Sequence, residues 1–264
     1  AGNLTLEGDS NNSADSDDSI SLASGASLTA SAGSITLNAT TGGISAAGAV
    51  TLNATTGITI NDSFTSAGTT TFDSDTDNDG SGTLTLASAL SAGNNAISLT
   101  AGGLALNSTL SSGTASTTIL ASLSGATIGL GASSCGGTCG VSLTSTELGN
   151  ITAGSLTIGD GSNGNITVEG VSSTDSDQFG SLTLNATASG SSVTFENSDS
   201  TFQGLTVNAE NGITLSSNLT TNGTTSFDSD SDSDGTGDFT LAASKTLSTT
   251  NNALSLTSND IAFG

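Results

Sequence analysis

The chain has no proline, histidine, methionine, tryptophan or tyrosine, and Lys245 is its one basic residue. Each absence excludes something. Without histidine, no side chain has an ordinary pKa suited to general acid–base work at neutral pH. Without arginine, no guanidinium can hold an anionic transition state. Phosphate backbones and anionic membrane surfaces are recognised through Lys and Arg, so a formal charge of −23 argues against nucleic acid and acidic lipid as partners. No apolar run approaches the roughly 20 residues that a membrane-spanning helix needs, so no membrane insertion is expected. The missing Trp and Tyr remove the rings on which enzymes commonly stack sugars. These gaps predict a protein that is not an enzyme.

Ser, Thr, Gly, Ala and Asn make up most of the 264 residues, with 24 Asp and Glu. Such a bias could mean disorder, but Ile, Leu and Val recur in spaced pairs, as in Ile35-Thr36-Leu37, Val50-Thr51-Leu52 and Ile58-Thr59-Ile60. In a strand alternate residues share a face, so the apolar members point inward and Thr or Ser outward. The triplets are too short for amphipathic helices. Gly, Asn and Ser between them suit tight corners. Strands start about every 7 to 8 residues, and three make a coil of roughly 20 residues. The expected fold is all-β, a right-handed parallel β-helix (β-solenoid). At about 4.8 Å per coil, a dozen coils would make a rod of roughly 60 Å. Absent proline fits, because nearly every strand is then central. Phe72, Phe227, Phe195, Phe202 and Phe263 read as core filling, the first two at the bases of acidic loops.

A long repeat overlies the short one. Phe72-Asp73-Ser74-Asp75-Thr76-Asp77-Asn78-Asp79-Gly80 returns as Phe227-Asp228-Ser229-Asp230-Ser231-Asp232-Ser233-Asp234-Gly235, at an offset of 155. Val50-Thr51-Leu52-Asn53-Ala54 answers to Leu205-Thr206-Val207-Asn208-Ala209 at the same offset. Residues 1–264 are expected to form one continuous solenoid of two repeat units, 1–152 and an incomplete 153–264. The chain begins at Ala1 without Met, which suggests processing or a fragment. The last strand, Ile261-Ala262-Phe263, has no polar cap after it, and an open sheet edge invites pairing.

The runs Gly33-Ser34-Ile35-Thr36-Leu37-Asn38-Ala39-Thr40, Ala126-Thr127-Ile128-Gly129-Leu130-Gly131 and Ala153-Gly154-Ser155-Leu156-Thr157-Ile158-Gly159-Asp160 resemble the repeats of filamentous-haemagglutinin-type bacterial exoproteins. The resemblance covers most of the chain. It implies a secreted, surface-associated right-handed β-helix, often part of a very large polypeptide, and brings no catalytic residues. The family's amino-terminal secretion domain is not evident here.

Both ladders read D-x-D-x-D-G. In calcium loops the first, third and fifth positions supply oxygens and Gly at the sixth permits a sharp turn. Leu86 and Leu241 occupy the twelfth position, where an EF-hand has its bidentate Glu, so these are not EF-hands. The candidate ligands are Asp73, Asp75, Asp77 and Asp79 in one loop and Asp228, Asp230, Asp232 and Asp234 in the other. Asp238 is a further candidate in the second loop. Four carboxylates so close repel unless neutralised or well hydrated, and a Ca2+ bound there would be held weakly, with Kd around 10⁻⁴–10⁻³ M. Asp15-Ser16-Asp17-Asp18 and Asp175-Ser176-Asp177 are weaker acidic loops, read as solubilising charge.

Cys135 and Cys139 flank Gly136-Gly137-Thr138, whose glycines let the backbone fold back, so a disulfide is expected. It closes a short loop and should stabilise only modestly. Zinc is disfavoured without histidine or a second cysteine pair. Asn38, Asn53, Asn107, Asn150, Asn165, Asn185 and Asn218 open Asn-x-Ser/Thr sequons, which Ser and Thr abundance alone would generate. The leading expectation is an extracellular or cell-surface structural or adhesive protein. It would be a rod or filament-forming segment, self-associating end to end, with a host or surface carbohydrate as a further partner. The alternative is a module binding ice or carbohydrate through outward Thr and Ser rows.

Overall fold

The computed structural model describes residues 2–8, 18–39, 41–132, 135 and 139–264. The chain packs as two compact units, Ala1–Thr118 with Asn150–Gly154, and Ile119–Gly149 with Ser155–Gly264. Each is a parallel β-solenoid. Among the described residues the paired strands run parallel, nearly all with the strand one coil later.

In the first unit, one sheet stacks Leu4–Glu7, Ile35–Asn38, Gly57–Ile60, Thr83–Leu86 and Gly103–Leu106. A second stacks Ile20–Leu22, Ile44–Ala46, Phe64–Ser66, Leu90–Ser91, Leu110–Ser111 and Ile151–Thr152. Strands Ala26–Ala30, Val50–Ala54, Thr70–Asp73 and Ile97–Ala101 form the third face. The register puts like on like. Ile35, Ile58 and Leu84 stack in one inner row, and Leu37, Ile60 and Leu86 in another. Thr36, Thr59 and Thr85 form the outward row between them. A one-residue slip would turn every inner side chain to water, so the alternation itself fixes the register. All six inner residues are wholly buried, each contributing about 1.5–3 kcal/mol of transfer free energy.

The second unit repeats this plan. One sheet stacks Val141–Leu143, Ile128–Gly131, Ile166–Glu169, Val193–Phe195, Ile213–Leu215, Phe239–Leu241 and Ile261–Phe263. Strands Ser155–Ile158, Ser181–Ala186, Gly204–Ala209, Thr225–Asp228 and Leu254–Thr257 make a second face. A third carries Ser200–Phe202, Leu219–Thr221 and Leu247–Ser248.

The coils average about 24 residues, close to the roughly 20 expected, and the ladders supply part of the difference. Val50 pairs with Thr70, and Leu205 with Thr225, each 20 residues on. On the face reached after each ladder, Gly57 pairs with Thr83 and Ile213 with Phe239, each 26 residues on. Each ladder is thus an insertion of six residues at one corner, made identically in both copies.

Among the described residues of the second unit, two departures from the regular coil occur. Helical turns at Ser145–Gly149 and Ser173–Ser176 replace strands on one face. Both begin with reciprocal capping. The Ser172 hydroxyl accepts from the Asp175 N–H, while the Asp175 carboxylate accepts from the Ser172 N–H. Thr144 and Glu147 do the same. The side chain three residues on satisfies donors that a strand would have put into the ladder. The second departure is that Ile128 pairs with Val141 only 13 residues on, too few for a full coil. Cys135 and Cys139 are disulfide-bonded within that connection, Cα–Cα 5.5 Å.

Phe72 and Phe227 are fully buried immediately before their ladders. Phe72 meets Phe64 edge-on with centroids 5.6 Å apart, and Phe227 stacks on Phe239 at 5.5 Å. Phe195 and Phe202 are also fully buried. Phe263 is not core filling here. It lies on an outermost strand, paired on one side only, and is 70% exposed.

Candidate functional site

Both ladder loops are built alike. The hydroxyl of Ser74 donates to the Gly82 carbonyl across the loop base (2.9 Å), as Ser229 does to Gly237 (3.1 Å). A Cβ on Gly82 would sit 2.0 Å from the Ser74 carbonyl oxygen, and one on Gly237 1.7 Å from that of Ser229, so only glycine closes either base. Asn78 and Ser233 take left-handed φ of 55° and 60°, followed by Gly80 and Gly235 at 83° and 87°. That geometry curls the chain around its first aspartate. Asp75 accepts from the Gly80 N–H (2.8 Å), and Asp230 from the Gly235 N–H (3.2 Å). Asp79 accepts from the Ser81 N–H (2.9 Å), and Asp234 from the Thr236 N–H (3.0 Å).

The carboxylates sort into two clusters. In the first loop Asp75, Asp77 and Asp79 each bring an oxygen within 4.8 Å of the others, Asp75 from a buried position and the others from exposed ones. Asp73 stays outside, at the end of its strand, accepting from the Asp75 N–H (3.1 Å). Burial holds its carboxyl above the ordinary value. The Asp75 N–H pulls the other way, and the charge of Asp75 adds to the rise. Loss of hydration and repulsion from Asp79 raise Asp77. Asp79 is held below the ordinary value by the hydroxyl and N–H of Ser81. One loop thus holds carboxyls displaced in opposite directions, raised by lost hydration and neighbouring charge and lowered by donated hydrogen bonds.

The second cluster has a different membership. Asp232 and Asp234 come together with Glu210, which lies on the preceding coil. Asp228 and Asp230 are not in the cluster. Asp228 continues an outward row with Asn208 and Thr257, and its Oδ1 is buried without a hydrogen-bond partner. Glu210 is only 7% exposed and accepts from the Gly190 N–H at 2.5 Å. The Ser231 N–H donates to the Ala209 carbonyl (3.0 Å), which seats the ladder on the Glu210 turn. Asp238 turns to the next coil instead, accepting from the Asp260 N–H (3.2 Å). Reading along the chain missed Glu210, 22 residues before Asp232. The available signal was the coil length itself, since a residue one coil earlier sits beneath a loop. In the first copy Thr55 occupies the corresponding position.

Of the weaker acidic loops, Asp15 and Asp17 lie outside the described residues. Asp18 is buried and accepts from the Thr41 hydroxyl (3.0 Å). Asp175 completes the capping box that Ser172 begins, and Asp177 accepts from the Gln178 side chain (2.8 Å). Several sequon asparagines hold coils together. Asn150 donates to Leu106, Asn165 accepts from Ser192, Asn208 donates to Asn185, and Asn218 accepts from Thr246. Asn107 is exposed.

Two shallow grooves on the second unit, one along Ser181, Gln203 and Thr224 and one along Ser124, Ser162 and Ser189, carry no charged or aromatic side chain. Outward hydroxyls form rows, as in Thr157, Thr183, Thr206, Ser226 and Ser255. Among the described residues no helix is long and apolar enough to cross a membrane. No protein-family model matches the chain, and no curated protein or solved structure is significantly similar to it.

Proposed function

We propose that this chain is a non-catalytic, extracellular structural or adhesive β-solenoid of the filamentous-haemagglutinin type, with calcium at its acidic loops. One observation carries the calcium reading. The fold brings Glu210 from one coil to Asp232 and Asp234 of the next. An all-oxygen, strongly anionic donor set suits a hard cation, and ligands drawn from turns and from neighbouring coils suit Ca2+ better than Mg2+, which demands near-ideal octahedral geometry. Asp75, Asp77 and Asp79 would hold an ion within one loop. Glu210, Asp232 and Asp234 would hold one between two coils and fasten them together. Titration calorimetry tests this. Heat of binding at millimolar Ca2+ is expected, and its absence overturns the calcium reading.

The structural role rests on the coil stacking. Each coil covers the apolar edge of the one before it, and a coil of a second copy stacked in the same way would continue the sheets through a heterologous contact, which propagates into filaments. Electron microscopy and light scattering with calcium present should show end-to-end growth with concentration. A monodisperse monomer throughout would refute it. The hydroxyl rows favour a second reading, a module that binds ice or a carbohydrate surface. Thermal hysteresis, or retention on insoluble polysaccharide, would separate that reading from the filament.

A further inference from the structure

We propose that Asn222 is a site of spontaneous deamidation, singled out by the fold from three Asn-Gly pairs. The pairs are Asn163-Gly164, Asn211-Gly212 and Asn222-Gly223. In this chemistry the glycine amide nitrogen attacks the asparagine Cγ. A C–N bond forms to give a succinimide, and Nδ2 leaves as ammonia, taking up the proton that the amide gives up. Water then opens the ring at either carbonyl, giving aspartate or isoaspartate. Water is the only co-reactant. Glycine follows because it has no Cβ to obstruct the approach.

The reaction needs a glycine N–H free to rotate and lose its proton, and a side chain free to turn back on the backbone. The first two pairs lack these. Asn163 is wholly buried, its Oδ1 accepting from the Asp160 N–H (2.6 Å) and its Nδ2 donating to the Gly164 carbonyl (2.8 Å). The Gly164 N–H itself donates to Ala126 (2.8 Å). Asn211 is exposed, but the Gly212 N–H donates to the Ser229 carbonyl (3.0 Å). To attack, either amide must first leave a bond that holds neighbouring coils together.

Asn222 differs on both counts. It lies on the corner between strands Leu219–Thr221 and Thr225–Asp228 and is exposed. The Gly223 N–H donates no hydrogen bond among the described residues. The Asn222 side chain has one long contact, from the Thr250 hydroxyl to its Oδ1 at 3.5 Å, and among the described residues nothing holds Nδ2. Isoaspartate would add a methylene to a corner whose ends are joined by the Thr221–Thr225 hydroxyl pair at 2.5 Å.

The test is to age the full chain in mildly alkaline buffer, folded in one sample and in denaturant in another, then map peptic peptides by mass spectrometry that resolves aspartate from isoaspartate. In denaturant the three pairs should convert at similar rates. In the folded chain Asn222 should outpace Asn163 and Asn211 by at least about tenfold, since each hydrogen bond that must break adds to the barrier. Asn222→Gln should fold with unchanged far-UV circular dichroism and lose only this modification. The proposal is overturned if Asn163 or Asn211 keeps pace in the folded chain. It is equally overturned if Asn222 stays intact while the unfolded chain converts.

Discussion

Replacing Glu210 with Gln separates the calcium reading from simple acidity, because the two forces on this residue act in opposite directions. Without calcium, Glu210 faces Asp232 and Asp234 with oxygens within 4.8 Å. Two unit charges at that separation repel by about 3 kcal/mol at an effective dielectric near 20 and by under about 1 kcal/mol in water. Asp232 and Asp234 are exposed, so the watery limit governs, and the two pairs together cost about 1–2 kcal/mol. Against this, the bond from the Gly190 N–H weakens when its acceptor becomes neutral, by about 1 kcal/mol. In chelator the variant should therefore be as stable as the parent or slightly more so. With calcium the sign reverses. At about 10 mM Ca2+ and a Kd of about 0.1–1 mM, binding adds about 1.4–2.7 kcal/mol per site to the parent. For a chain of this size that raises Tm by roughly 3–10 °C per site. Glu210→Gln should lose most of the second site's share and keep that of the first. Differential scanning calorimetry in chelator and in calcium reads all four values. A variant that gains as much from calcium as the parent would refute the inter-coil site.

Further expectations rest on the core, the disulfide and the titration of the first loop. Phe227→Ala should cost about 3–5 kcal/mol, because Phe227 is wholly buried against Phe239. With no Trp or Tyr to report, far-UV circular dichroism during denaturant unfolding is the suitable measure, and a cost below about 1 kcal/mol would contradict the packed loop base. Replacing Cys135 and Cys139 with Ser opens a loop of sequence separation 4, for which chain entropy gives about 2 kcal/mol. The parent in thiol reductant should match the double variant in unfolding midpoint. Asp73 has a carboxyl raised above 3.8 by burial. The folded chain therefore holds that proton to higher pH than the unfolded chain, so the stabilisation is present below 3.8 and lost as pH rises through the raised value. Asp73→Asn should match the parent in acid and exceed it near neutrality in calcium-free buffer. Equal stabilities at both ends would remove burial as the cause.

The fold was legible because the chain states one local rule repeatedly. Leu, Ile or Val alternating with Thr or Ser, with small residues at corners and no proline, permits parallel stacking of like on like. The Ile35–Ile58–Leu84 and Thr36–Thr59–Thr85 rows follow from that alternation. The 155-residue offset likewise placed both ladders at one kind of corner. What the sequence did not disclose depends on pairs far apart in it. The capping boxes at Ser172 and Thr144 are visible as motifs, but only the hydrogen bonds of packed coils decide that helical turns displace strands there. The membership of the acidic clusters is also tertiary. Four aspartates in each ladder looked equivalent, yet Asp73 ends in its strand, Asp228 joins an outward row, and Asp230 curls its own loop. Glu210 enters from the coil beneath. Spacing of two along the chain sets which residues share a face. Coil length, set by every corner and insertion between, sets which residues meet across coils, and that is fixed only when the chain is folded.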